Sequence, residues 1–196
     1  MLKDKEYGWT GATDDRVVIF TERIETMKYL AARLREDLKM PANAIQEISG
    51  AMSDAEQQTI VENFGREEAP VRVLVASDVA SEGLNLHYLS HRMIHFDIPW
   101  SLMVFQQRNG RIDRYGQQKR PDIRYMMIES NNPRIKGDMR IIEILITKEE
   151  QALKNIGDPA LLLGKFSIED EELVVSDAIE NGSDAAAFSE TLDSGE

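Results

Sequence analysis

The chain has 196 residues, which suffices for one domain with a sizeable core plus a tail. It has no cysteine, which excludes disulfides and thiolate metal sites, and its apolar runs fall short of the ~20 residues of a membrane helix and form no secretory leader, so a soluble, cytoplasmic protein is expected. The net charge of −12 is uneven: residues 166–196 hold ten acids and no Lys or Arg, leaving residues 1–165 at −2 with 25 acids against 23 bases, a body that can still carry a local basic surface.

In chain order, residues 1–15 mix charge with Gly8, Thr10 and Gly11 and read as a linker or frayed start. Arg16-Val17-Val18-Ile19-Phe20 is an apolar, β-branched run suited to a strand buried on both faces. Thr21 is placed to cap the next segment, where Ile24, Met27, Leu30, Ala31, Leu34 and Leu38 keep the helical period until Pro41 closes the unit. Ala44–Ile48 is a weaker strand candidate. Ser53-Asp54-Ala55-Glu56 has the capping-box pattern, and Ile60, Val61 and Phe64 continue it as a helix. Val71–Ala76 is the clearest strand, and a glycine-containing loop and a strand over Arg92–Phe96 follow. Pro99 suits the first turn of a helix running from about Trp100 to Arg114. Asp122–Ile128 reads as the last strand. Ile141, Ile142, Leu145, Leu153 and Ile156 suggest a C-terminal helix to about Gly157, and the acidic residues 166–196 read as a flexible tail.

Strands alternating with helices predict an α/β fold whose mostly parallel sheet is covered on both faces. Ligands of such sheets sit at the carboxyl ends of the strands, which directs attention to the loops after Phe20, Ala76 and Phe96. In the second, Ser77 offers a hydroxyl, Asp78 and Glu82 offer carboxylates, and Gly83 permits close backbone approach; Ser77 or Asp78 could equally cap a helix. The third loop leads to Gln107-Arg108-Asn109-Gly110-Arg111-Ile112-Asp113-Arg114-Tyr115-Gly116-Gln117. If the helix runs through it, Arg108, Arg111 and Arg114 share one face and form a row of guanidinium groups fit for a polyphosphate, with pairing of Arg108 to an Asp or Glu as the structural alternative for that residue. His87, His91 and His95 are four apart, but strand signals around them argue against a metal site.

The spacing of Asp97, Trp100, Gln107, Arg111, Arg114, Gly116 and Gln117 resembles the last two motifs of Swi/Snf-type superfamily 2 helicases, D-x-x-W and Q-x-x-x-R-x-x-R-x-G-Q. Ser77–Asn85 resembles that family's motif V, Val17–Thr21 its motif IV, and Ile48–Ser53 the glycine region before its next helix, all in the family's order over residues 16–130. Within the family the chain is similar to the RapA-type remodellers associated with bacterial RNA polymerase. DEAD-box RNA helicases share D-x-P and H-R-x-G-R-x-G-R, but here Gln107 stands for the His and Asp113 for the second Gly. Ser101 and Asp78 in turn depart from the Swi/Snf pattern.

The resemblance implies a RecA-like three-layer αβα lobe over residues 16–165. Arg111 and Arg114 would be catalytic arginines approaching the γ-phosphate of ATP. Gln107, Glu82, Gly83 and Asp78 would lie at the nucleotide, and Ser77, Thr21 and Gly50 at the nucleic acid. No Walker A loop G-x-x-x-x-G-K-[ST] and no D-E-x-H or D-E-A-D run occurs in the chain, so a first lobe is expected to bring ATP and Mg. Double-stranded DNA and RNA polymerase are the implied partners, in the cytoplasm or at a bacterial nucleoid. A non-catalytic helicase-like interaction domain and an RNA helicase lobe are the alternatives.

Overall fold

The structure, a computed structural model, describes residues 1–78, 85–127, 141–143, 145–147, 173 and 176. Its elements are β1 (Arg16–Thr21), α1 (Ile24–Leu38), a short 3₁₀ turn (Ala42–Ala44), β2 (Ile45–Ile48), α2 (Asp54–Gly65), β3 (Val73–Ser77), β4 (Ser90–His95), α3 (Leu102–Asn109) and β5 (Asp122–Tyr125). The expected C-terminal helix and acidic tail lie almost wholly outside the described residues. The chain divides into two units, one of residues 1–97 and 107–126, the other of 98–106 and 127–196.

The first unit holds the whole sheet, in the order β2-β3-β1-β4-β5, with every pairing parallel. β1 is central and buried throughout, so its alternating side chains feed two cores. Val18 and Phe20 join Ile48, Phe64, Leu74, Ala76, Met93 and Ile112, with Ile60 and Val61 of α2 packed against them. Val17 and Ile19 join Met27 and Ala31 of α1, with Ile45, Val73, Val75 and Ile94. This is the three-layer α/β arrangement that the alternation of strands and helices predicts.

Local signals account for most element ends. Ser53 and Glu56 form the expected capping box at α2, the serine hydroxyl accepting from Glu56 N and the glutamate from Ser53 N. α1 stops where Lys39 turns left-handed (φ 53°), before Pro41. Arg16, fully buried, donates to the carbonyls of Asn63, Phe64 and Arg66 at the end of α2, and burial lowers its pKa to about 10.

Three sequence expectations are corrected here. Thr21 does not cap α1: the cap residue is Arg23, with no side-chain bond. Residues 1–15 are not a loose linker. Leu2 and Tyr7 are buried in the α1-side core, and Asp15 accepts Thr10 N at 2.9 Å and Arg92 Nε at 2.8 Å. Arg92 also bonds Tyr7 O and stacks over the Tyr7 ring at 5.0 Å, so contacts distant in sequence fix this segment. In the second unit, Ser101 rather than Pro99 opens α3, its hydroxyl accepting Val104 N at 3.4 Å.

Candidate functional site

Because the strands are parallel, their carboxyl ends lie along one edge. The register sets Thr21 opposite Ser77, Phe20 opposite Ala76 and His95, Ile48 opposite Ala76, and His95 opposite Tyr125. The centre of this edge is Arg108, fully buried on the last turn of α3. Its Nε donates to Asp78 Oδ1 at 2.6 Å and its Nη2 to Asp78 Oδ2 at 2.5 Å, a bidentate fork. Nη2 also reaches Asp97 Oδ1 at 3.1 Å and Nη1 the Asp97 carbonyl at 2.9 Å. Asp97 in turn accepts Thr21 Oγ1 at 2.5 Å and the Glu22 amide at 2.9 Å. One guanidinium and two carboxylates thus tie together the ends of β1, β3 and β4.

His95 completes the cluster. Its Nδ1 lies 3.3 Å from Arg108 Nη1, and its Nε2 2.9 Å from Asn109 Oδ1. Arg108 can only donate, so Nδ1 accepts and the proton sits on Nε2, donated to Asn109. Burial, then the nearby Arg108 charge, pushes the His95 pKa down to about 3. The neutral ring stacks on Tyr125 with centroids 4.7 Å apart.

α3 ends at Asn109, and the arginine run continues as a turn. Arg111 N donates to Arg108 O at 3.0 Å, Ile112 N and Asp113 N to Asn109 O at 3.2 and 3.0 Å, and Gln117 N to Arg114 O at 3.0 Å. The turn is clamped to the segment before β4: Leu86 N donates to Arg111 O at 3.2 Å, and Gln117 Nε2 donates to the carbonyls of His87, Ser90 and Ile112 at 3.1, 2.9 and 3.1 Å. Gly116 takes φ +97°, a conformation few side chains tolerate, and a Cβ there would lie 3.6 Å from His87 Nε2. Ile112 anchors the turn in the core. Arg114 is exposed and donates to the neutral amide oxygen of Asn85, Arg111 is half-buried, and the Tyr115 ring is fully exposed.

Residues 4–116, with this sheet edge and most of this turn, match the helicase conserved C-terminal domain. The chain belongs to that family. It is 30% identical over 161 residues to the uncharacterized ATP-dependent helicase YqhH of Bacillus subtilis (strain 168), covering 81% of this chain and 26% of that protein. It is 33% identical over 109 residues to the RNA polymerase-associated protein RapA of Vibrio campbellii, covering 56% of this chain and 11% of RapA. The chain thus spans about a quarter or less of the curated relatives it matches. Among solved structures, the Sulfolobus solfataricus SWI2/SNF2 ATPase core in complex with dsDNA is similar with a TM-score of 0.54 and 22% identity, over 83% of this chain and 30% of that one. Domain 2 of the DEAD-box helicase Mss116p bound to an RNA duplex gives 0.55 and 19%, over 73% and 49%. These two likenesses establish the RecA-like fold. The Swi/Snf-type, superfamily 2 second lobe inferred from the motifs agrees with the sequence relatives.

Against this helicase C-terminal fold, the sequence-derived site divides. The row of three arginines on one helix face does not exist, because α3 stops at Asn109 and only Arg108 lies on it. Both oxygens of Asp78 accept from Arg108. Thr21 and Ser77 are fully buried and present no hydroxyl to a nucleic acid; Thr21 donates to Asp97 instead. Gly50 is exposed in the turn after β2, and Gln107 is half-buried on α3. Glu82 and Gly83 lie outside the described residues. Sequence reasoning did not assign Asp97, Asn109 and Gln117 as the groups that shape the site. The D-x-x-W and R-x-G-Q patterns marked two of them, but only the fold supplies their partners. Among the described residues no group of three or more His, Asp and Glu is placed to hold a metal.

Proposed function

We propose that this helicase C-terminal domain is the second motor lobe of an ATP-driven, Swi/Snf-type translocase on double-stranded DNA, and that Arg111 and Arg114 reach the phosphates of an ATP held with Mg by a first lobe. One observation carries this reading: Arg114 is exposed on a turn whose backbone is fixed by Gln117, Gly116 and Ile112, and its partner is an amide without charge. A phosphate replaces an amide oxygen at Arg114 with a gain in charge pairing, whereas a group on a mobile turn would have to be ordered first. Arg111 and Arg114 then stabilise charge on the transferring phosphoryl group. The printed descriptions of the relatives support the same reading: an ATP-dependent helicase, an RNA polymerase-associated protein and a SWI2/SNF2 ATPase core in complex with dsDNA.

The test assembles the chain with its first lobe and measures ATP turnover with duplex DNA or single-stranded RNA. The chain alone is expected to show no turnover. In the assembly, Arg114→Ala should lower kcat ~10³-fold or more with little change in ATP affinity, and duplex DNA should stimulate more than RNA. Unchanged kcat in Arg114→Ala refutes the arginine assignment, and stronger stimulation by RNA selects an RNA helicase lobe instead.

A further inference from the structure

We propose that Arg108 and Asn109 are positioning residues whose side-chain anchors set where Arg111 and Arg114 stand. The proposal rests on the reading of those two arginines as phosphate contacts.

The turn that carries Arg111 and Arg114 starts from three backbone bonds, all accepted by the carbonyls of Arg108 and Asn109. The position of these two carbonyls therefore sets the start of the turn. They sit at the last two positions of α3, where helices fray because the final carbonyls lack intrahelical partners. Fraying is opposed here by side chains. Arg108 is held by Asp78 and Asp97, and Asn109 accepts His95 Nε2. The supports of these anchors are themselves fixed. Asp97 is held by Thr21 and the Glu22 amide, Asp78 follows the last residue of β3, and His95 is a β4 residue stacked on Tyr125 of β5. Each anchor thus ties the root of the turn to the rigid sheet.

Two anchors on adjacent residues divide the work. The Arg108 fork resists sliding of the helix end along the sheet edge, because its planar geometry admits one orientation toward Asp78. The His95–Asn109 bond resists rotation about the last helical turn. Losing the second alone leaves the charge cluster paired and the fold intact, while the turn gains freedom at its root. A displacement of about 1 Å at a reacting centre can lower a rate ~10²-fold, so the expected signature is a loss of kcat with substrate binding retained.

The experiment uses Asn109→Ala, which removes the His95 partner without adding charge. In this chain the amides of Ile112 and Asp113 should exchange with solvent faster, with the melting temperature within a few degrees of wild type. In the assembly with the first lobe, kcat should fall ~10- to 100-fold while the KM for ATP stays within about 2-fold. The triple variant Asn109→Ala, Arg111→Ala, Arg114→Ala should be no slower than Arg111→Ala, Arg114→Ala, because Asn109 acts through those two arginines. A wild-type kcat in Asn109→Ala, unchanged amide exchange, or a further loss when Asn109→Ala is added to Arg111→Ala, Arg114→Ala would each overturn the positioning role while leaving the arginine assignment standing. An Arg114→Ala variant with full activity overturns both.

Discussion

Replacing Arg108 by Met tests whether the buried guanidinium holds the strand ends together. The side chain is 0% exposed, and it faces Asp78 and Asp97 whose side chains are 21% and 33% exposed. Five of its contacts fall within hydrogen-bonding distance: two to Asp78, two to Asp97 and one to His95. Methionine fills much of the same space but leaves two carboxylates facing each other without a cation. Removing one partner of a buried ion pair typically costs about 3–5 kcal/mol. Both carboxylates retain access to water, which favours the lower end, about 3 kcal/mol. With a urea slope of about 2 kcal/mol/M for a domain of this size, the unfolding midpoint should fall by about 1.5 M. Asp78→Asn in the same background removes one of the two stranded charges and should recover part of the loss, so the double variant is less destabilised than the sum of the singles. A midpoint for Arg108→Met within about 0.3 M of wild type would refute the argument, as would additive effects of the two substitutions.

Two further outcomes are expected. His95 stays neutral in the folded chain until its pKa of about 3 but protonates in the unfolded chain near 6.5, so the unfolded state binds the extra proton and stability rises with pH between these values. Moving from pH 7.5 to pH 5 should therefore remove about 2 kcal/mol, with His91, whose pKa burial also lowers, adding in the same direction. Urea unfolding of His95→Gln should show this difference shrink by most of that amount, and an unchanged pH dependence would refute the neutral, buried imidazole. Gly116→Ala forces a side chain into φ +97° beside His87 and should cost about 1 kcal/mol or more, measured by thermal unfolding; a neutral or stabilising effect would show that the turn does not need its glycine.

The sheet was legible because its signals are local. Apolar β-branched runs marked β1 and β3, a period of 3.6 marked α1, and one serine with a glutamate three residues on marked the start of α2. What escaped sequence reading depends on partners far along the chain. Arg92 meets Asp15 across 77 residues and Arg108 meets Asp78 across 30, and no periodicity announces either. The extended reading of α3 failed for a physical reason that was half visible: Gly110 weakens the helix, and the amides of Arg111, Ile112 and Asp113 instead form turn bonds back to Arg108 and Asn109. The motif that named the arginines was thus read correctly as a motif and wrongly as a helix face.

Compensation separates the arginines more sharply than spacing does. Arg16 is saturated by backbone carbonyls, including those of Asn63, Phe64 and Arg66. Arg92 is paired with Asp15 and Asp122, and Arg108 with Asp78 and Asp97. For an incoming phosphate to use Arg108, it would have to displace two carboxylates that the fold holds at contact distance, and would leave them without their cation beside a third anion. At Arg114 it displaces one amide oxygen at the surface, where nothing charged is stranded. The same guanidinium chemistry therefore serves opposite ends six residues apart. The arginine surrounded by acid secures the sheet edge, whereas among the described residues Arg114 meets an uncharged amide oxygen, as the phosphate contact proposed for it requires.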